Sequence, residues 1–339
     1  MISRPVRSRS ALAAAAVALV WLSGVPADAG TDDADGLLLD ARKVSTVESF
    51  AGIVEVSWHD NGGVAQVAQV VARSVEGAFV VGKGTRHTVG DKHERFTRTG
   101  DEPATRWKPV GGRRAPAPGA TWDLEIAGRD EVAKRPATVV EARDDGGRVR
   151  ARFSIDRETG QLLQRVVLDE HGDEVHVVGF VTIISGASEK PSLPVPPVPG
   201  AGDVKAPKAL DNTPEGFVAH DEVGDGYELL GQYRQPDGAV HLYYSDGLFT
   251  LSVFESPGRV DWDAMPPGSS RPVEGLRARF YSTAAGTIVV WGQDDLVLTA
   301  VGDGPPDMVM AVVTELSGSG DDSWFDDVTG FVLGPFDWE

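Results

Sequence analysis

The pattern of apolar and polar positions changes character several times along the chain. Leu37, Leu38, Leu39, Ala41, Val44, Val47 and Phe50 recur near helical spacing and predict a helix closing at Gly52. Beyond it the apolar period shortens towards two. Short runs rich in Val, Phe and Thr at 53–58, 64–73, 78–81, 122–126, 137–142, 149–155, 162–168 and 174–184 read as strands. Turn signals separate them at Asn61-Gly62-Gly63, Asp144-Asp145-Gly146-Gly147, Glu158-Thr159-Gly160 and His171-Gly172-Asp173. A spacing of roughly 8–12 residues with little helix between strands predicts an antiparallel meander rather than a parallel βαβ sheet.

Residues 186–215 break this pattern. Pro191, Pro194, Pro196, Pro197, Pro199, Pro207 and Pro214 stiffen the chain and remove backbone donors, which reads as an extended linker between two domains. The second domain starts near Gly216. Runs at 227–234 and 239–244 form a hairpin through Pro236-Asp237-Gly238, and a third strand at 248–255 follows the turn Ser245-Asp246-Gly247. Runs at 279–282, 287–291 and 296–301 complete a small sheet. Pro305-Pro306-Asp307 then opens a helix with Met308, Val309, Val312, Val313 and Leu316 on one face and Gly318 at its end. Residues 319–339 are an acidic tail carrying Trp324, Phe325, Phe331, Phe336 and Trp338. The fold class expected is α+β, mostly antiparallel β, in two modules.

Composition narrows the function. The length of 339 residues suits about two domains, and 41% hydrophobic residues suffice for a buried core. A net charge of −19 repels nucleic acid and anionic membrane surfaces. The absence of cysteine removes disulfides, thiolate metal sites, cysteine nucleophiles and lipoprotein-type acylation. Arg4, Arg7 and Arg9 precede an apolar run at 11–25, and Ala27-Asp28-Ala29 fits small-x-small cleavage. Residues 1–29 therefore read as a signal peptide, kept as an anchor in the alternative reading, and the body is expected outside the cytoplasm. Removing them takes away three Arg and one Asp, which brings the mature charge to −21.

Catalytic chemistry finds little support. No G-x-S-x-G elbow occurs. His59, His87, His93, His171, His176, His220 and His241 form no H-E-x-x-H or i, i+4 pair, and Gly82-Lys83-Gly84 lacks the rest of a phosphate loop. Ser245-Asp246 suggests a catalytic pair, but Asp followed by Gly is also what a tight turn requires. No catalytic, metal or cofactor residues are assigned, and no cofactor is expected.

Residues 241–255, His241-Leu242-Tyr243-Tyr244-Ser245-Asp246-Gly247-Leu248-Phe249-Thr250-Leu251-Ser252-Val253-Phe254-Glu255, resemble the C-terminal-domain signature of the MucB/RseB family of sigma-E regulatory proteins. Residues 292–315, with Val301-Gly302-Asp303-Gly304-Pro305-Pro306 before the helix, are similar to that family's final strand and helix. More loosely, Gly128-Arg129-Asp130-Glu131-Val132-Ala133-Lys134-Arg135-Pro136, the run to Ile155-Asp156-Arg157-Glu158-Thr159-Gly160-Gln161-Leu162-Leu163, and the opening Phe50-Ala51-Gly52 are similar to its lipoprotein-carrier-like domain. The resemblance implies a half-open β-barrel with covering helices at 30–185, and a smaller α+β sheet domain at 216–318. It also implies a negative regulator outside the cytoplasmic membrane. Such a regulator binds the extracytoplasmic domain of a membrane anti-sigma factor, protects it from proteolysis and releases it on an envelope-stress ligand, with a lipid-like molecule or a lipoprotein as the candidate. The alternative is a lipid or lipoprotein carrier on the same fold.

Three sets of residues are candidates for binding. Tyr243, Tyr244 and Phe254 are expected at the partner contact. Val54, Val56, Trp58, Phe79, Val81, Trp122 and Leu124 fit either an apolar cavity or a packed sheet–helix core. Arg106, Trp107, Lys108, Arg113 and Arg114 run against the global charge, among Pro109, Pro116 and Pro118. They read either as a lip for an anionic headgroup or acidic partner, or as a solvated loop. The tail either folds onto the body, grips a partner or frays.

Overall fold

The computed structural model describes residues 33–60, 63–73, 79–81, 85–89, 95–96, 113–185, 208–235 and 238–318. The signal segment, most of the proline-rich stretch, Arg106, Trp107, Lys108 and the acidic tail lie outside the described residues.

Helix α1 (Ala34–Val47) opens with Asp33, whose carboxylate accepts from the Gly36 amide at 2.7 Å as an N-cap. It ends at Val47 rather than at Gly52, because Phe50 already pairs with Arg73 and Ser185 on either side. Gly52 has a different task. A Cβ there would lie 2.2 Å from the Thr182 carbonyl oxygen, beside the irregularity at Ile53/Val54 where the two strands press together.

The first sheet contains β1 (Phe50–Asp60), β2 (Gly63–Arg73), β3 (Phe79–Val81), β4 (Thr85–Val89), β5 (Arg95–Phe96), β6 (Asp123–Val132), β7 (Arg135–Arg143), β8 (Val149–Asp156), β9 (Leu162–Leu168) and β10 (Glu174–Ser185). The short helix α2 (Pro118–Thr121) precedes β6. The order is β5-β4-β2-β1-β10-β9-β8-β7-β6, antiparallel throughout, with β3 paired to β2. Among the described residues the sheet does not close, although it curls until β6 approaches β10. The β6–β7 hairpin turns through Ala133 and Lys134, both at positive φ (53° and 62°), the handedness that matches strand twist.

Residues directly opposite across an antiparallel pair share a face. One cross-strand row therefore reads Val140–Phe153–Arg165–Val178–Val56–Val67, and the next Ala142–Ala151–Val167–His176–Trp58–Ala65. All twelve are buried. This is the concave face, with α1 lying against β6, β8 and β9 at one end through Leu38 and Ala41.

The second sheet contains β11 (Lys208–Ala209), β12 (Glu222–Val223), β13 (Tyr227–Arg234), β14 (Val240–Ser245), β15 (Thr250–Pro257), β16 (Ser269–Val273), β17 (Leu276–Thr283), β18 (Gly286–Gln293) and β19 (Leu296–Gly302). Its order is β11-β13-β14-β15-β19-β18-β17-β16, with β12 also on β13. Lys208 and Ala209 pair with Arg234 and Tyr233, so this module starts before the expected boundary at Gly216. Helix α3 (Pro306–Gly318) covers one face, its Val309, Val312 and Val313 fully buried against Leu242, Leu251, Ala300 and Trp291. One apolar cluster runs from α1, β7, β8 and β9 into β13–β15, β18, β19 and α3, so the two modules share a core.

Candidate functional site

The turn Ser245-Asp246-Gly247 is consumed by its own geometry. Asp246 Oδ1 accepts from the amides of Leu248 (2.8 Å) and Phe249 (2.6 Å). Ser245 Oγ donates to the Phe249 carbonyl (2.8 Å) and accepts from the Gly247 amide (3.1 Å). The hydroxyl and carboxylate thus act as turn locks rather than as a catalytic pair. Gly247 sits at φ +95°, and a Cβ on it would come within 2.9 Å of the Pro116 carbonyl of the first module. Arg42 of α1 donates to the Gly247 carbonyl. Burial raises the Asp246 carboxyl to about 7, with the nearby Asp303 charge adding to the effect and the two amides opposing it.

Around this turn the second module inserts into the concave face of the first. Arg165 on β9 meets Asp303 Oδ2 at 2.7 Å and also donates to the Asp303 carbonyl, while its guanidinium lies 5.1 Å from the Phe249 ring centre. Asp303 Oδ1 in turn accepts from the Thr250 amide at 2.6 Å. Trp122 packs edge-on against Phe249 at 5.3 Å. Arg150 on β8 reaches both oxygens of Asp307 on α3, at 2.5 and 2.6 Å, and Asp144 at 3.2 Å. His176 on β10 bonds the Ala284 carbonyl through Nε2 at 3.0 Å. Its burial pulls the imidazole down to about 4, so it is neutral and that nitrogen is the donor. Ala284 itself is buried among the Val54, Val56 and Trp58 cluster.

The second sheet carries an aromatic stripe on the face away from α3. Phe254 stacks on His241 at 4.3 Å, with Tyr233 at 5.7 Å and Tyr243 at 6.3 Å from the same imidazole. His241 Nε2 bonds Ser252 Oγ at 2.9 Å, and burial lowers its pKa to about 4. Tyr243 and Phe254 are half-buried.

The residues expected from sequence are not all brought together. Tyr244 alternates to the opposite face, where it pairs across to Leu251 and is fully buried beneath α3, so it is a core residue and not a partner contact. Val54, Val56 and Trp58 line the concave face but are packed, and Val56 is wholly out of solvent. Trp122 belongs to the other end of that face, against Phe249. Phe79 lies on β3, with its side chain outside the described residues. Arg113 and Arg114 are exposed. The Arg113 amide bonds the Leu230 carbonyl at 2.7 Å, and its side chain lies 4.0 Å from Asp221 with both groups in solvent, an arrangement of little energetic weight. Sequence reasoning missed Arg165, Phe249, Asp303 and Ala284. The available signal was Arg165 in the strand run 162–168 and His176 in the run 174–184, each at a position that strand alternation places on the same face as apolar neighbours. Among the described residues no cluster of three or more His, Asp or Glu could hold a metal, and no helix is long and apolar enough to cross a membrane.

An open antiparallel half-barrel joined through a shared core to a second, helix-covered sheet defines a two-module, mostly antiparallel β protein. Residues 60–198 match the family model for the MucB/RseB N-terminal domain. No curated protein matches it. Among solved structures it is similar to the Pseudomonas aeruginosa MucA/MucB complex, at 20% identity over 82% of this chain and 96% of that one (TM-score 0.44). It is also similar to MucB alone, at 18% identity over 85% and 98% of the two chains (TM-score 0.46). A LolA superfamily protein from Nitrosomonas europaea aligns at 7% identity over 83% and 98% (TM-score 0.18).

Proposed function

We propose that this chain is an extracytoplasmic, non-enzymatic regulator. It binds the exposed segment of a membrane anti-sigma factor and shields it from the protease that begins its destruction, thereby holding the sigma factor inactive. The observation that carries this reading is the MucB/RseB N-terminal domain at 60–198, followed in order by the 241–255 block that resembles the same family's C-terminal domain. The contact surface is the aromatic stripe of the second sheet, centred on Tyr243 and Phe254. Half-buried aromatics held rigid by stacking supply contact area at low entropic cost. A lipid-like or lipoprotein ligand taken up by the first module would release the anti-sigma segment only by binding the released state better.

The test is capture of the extracytoplasmic half of an anti-sigma protein encoded beside this chain, using the secreted form of the protein. Saturable binding that also slows proteolysis of that segment is expected. Lipid co-purifying with the protein, together with no capture of the segment, would favour the carrier alternative and sink the regulator reading.

A further inference from the structure

The arginines of β7, β8 and β9 are each matched by a carboxylate. Arg277 and Arg279 on β17 are not. Among the described residues neither has a carboxylate oxygen within 4.0 Å, in a chain of net charge −19. The neighbouring Asp261 accepts instead from the amides of Asp263 and Ala264, at 3.1 and 3.2 Å, and Asp295 is taken by Arg259. Both guanidinium groups lie against Trp262, at 4.5 and 5.7 Å from its ring centre. The same strand holds the loop that carries this ring. Arg279 Nη1 donates to the carbonyls of Met265 and Pro266 at 3.1 and 3.0 Å, and the Tyr281 hydroxyl donates to the second at 3.0 Å. Arg277 is exposed, Trp262 and Tyr281 are half-buried, and Arg279 Nε is buried without a hydrogen-bond partner. Register sets these groups on the face away from α3, because the row Arg279–Val290–Thr299–Phe254–His241 runs from β17 into the aromatic stripe. Arg271, equally without a carboxylate among the described residues, pairs with Ala278 and so belongs to the α3 side.

Two guanidinium forks backed by an aromatic plane suit carboxylates carried beside aromatic rings. The chain contains such a segment. Residues 319–339, outside the described residues, hold six carboxylates, five aromatic side chains and no Lys or Arg. They follow directly on α3, which covers the opposite face of the same sheet. About ten residues of extended chain reach roughly 33 Å, enough to round a module of about 100 residues, whose radius of gyration is about 13 Å.

We propose that the face bearing Arg277, Arg279 and Trp262 is the docking surface for the chain's own acidic aromatic segment 319–339. The carboxylates of that segment meet the two guanidinium groups, and its rings extend the surface begun by Trp262 and Tyr281. An acidic segment of another molecule reaches this face only by displacing the tail. This inference does not depend on the anti-sigma reading, since both parties belong to this chain.

The probe is a fluorescein-labelled peptide of residues 319–339, titrated by anisotropy into the full secreted chain. In the parent the attached tail competes at millimolar effective concentration, so weak binding is expected. A tail variant carrying Asp326→Asn, Asp327→Asn and Asp337→Asn should bind the peptide about tenfold more tightly or better, the scale of one hydrogen bond between charged groups. Adding Arg277→Glu to the tail variant should cancel that gain, with the thermal unfolding midpoint as the folding control. Adding Arg271→Glu instead makes the same charge change on the opposite face and should leave the affinity unaltered. A tail variant that binds the peptide no better than the parent, or equal losses from Arg277→Glu and Arg271→Glu, would overturn the proposal. So would a parent that sediments as a dimer and reverts to a monomer on Arg277→Glu, because the tail then sits on a second copy. If Arg277→Glu does not fold, Arg277→Gln replaces it with the same expected outcomes.

Discussion

Arg165 Nη1 and Asp303 Oδ2 lie 2.7 Å apart, with both side chains almost out of solvent, and this pair ties β9 of one sheet to the end of β19 in the other. Breaking a buried pair from one side strands a charge in a poor dielectric. Arg165→Ala is therefore expected to lower unfolding stability by about 3–5 kcal/mol in a urea titration. Adding Asp303→Asn removes the stranded charge, keeps an acceptor for the Thr250 amide, and should recover part of that loss. A change below about 1 kcal/mol for the single variant would mean that water reaches the pair as it does a surface one.

Gly247 and Gly172 separate backbone strain from crowding. Both have positive φ, but a Cβ at Gly172 meets nothing within 4 Å, whereas one at Gly247 meets two carbonyl oxygens at about 3 Å. Gly172→Ala should cost about 1 kcal/mol, from the left-handed conformation alone. Gly247→Ala should cost about 2 kcal/mol more, because the obstacle is backbone of the other module and cannot rotate aside. Equal losses in thermal or urea unfolding would show that the modules separate to make room.

His176 and Asp246 respond to pH in opposite senses across one junction. Burial lowers His176 from 6.5 to about 4, so the unfolded chain takes up the proton first and the folded state loses ground as pH falls through that window. Burial raises Asp246 from 3.8 to about 7, so the unfolded chain gives up its proton first and the folded state loses ground as pH rises. The two slopes largely cancel between pH 4 and 6.5. His176→Gln removes one of them. Relative to the parent, that variant should lose about 3 kcal/mol of stability as pH is raised across this range, because one proton's difference between the unfolded and folded chains changes stability by about 1.4 kcal/mol for each pH step of one. Asp246→Asn should change with the opposite sign. Parallel stability curves for parent and both variants would refute this account of the junction.

Adjacent tyrosines should report different things. Tyr243→Ala and Phe254→Ala are expected to weaken capture of the anti-sigma segment by about tenfold or more with little change in unfolding midpoint, as truncated contact residues do. Tyr244→Ala should instead cost about 3–5 kcal/mol of stability, since it empties a fully buried site beneath α3. Calorimetric titration beside urea unfolding separates the two. Equal binding losses for Tyr243 and Tyr244 at unchanged stability would overturn the assignment of faces.

Much of the fold is legible in the sequence because strand periodicity is local. The runs at 162–168 and 227–234 coincide with β9 and β13, and Pro306, Asp307 and Gly318 bracket α3 as capping chemistry requires. β16, Ser-Ser-Arg-Pro-Val, escapes a sequence reading because Pro272 argues against a strand unless the strand is an edge, which is where it lies. Gly52 resembles a helix stop, yet its reason for being glycine is the Thr182 carbonyl, 130 residues further along the chain.

From the order of residues alone came two β-rich modules with a break between them, the turn at Ser245-Asp246-Gly247, and the resemblance to the MucB/RseB family. Each depends on period, turn chemistry or contiguous motif, which neighbouring residues decide among themselves. Only the tertiary structure decided that Tyr244 lies beneath α3 with Tyr243 half-buried on the opposite face, and that the apolar face suited to a cavity is filled by the chain's own second module. Nor could the chain order reveal that Arg165 spends its charge on Asp303, 138 positions away. These outcomes rest on register and on which surfaces meet, and a one-residue slip in pairing would exchange every face.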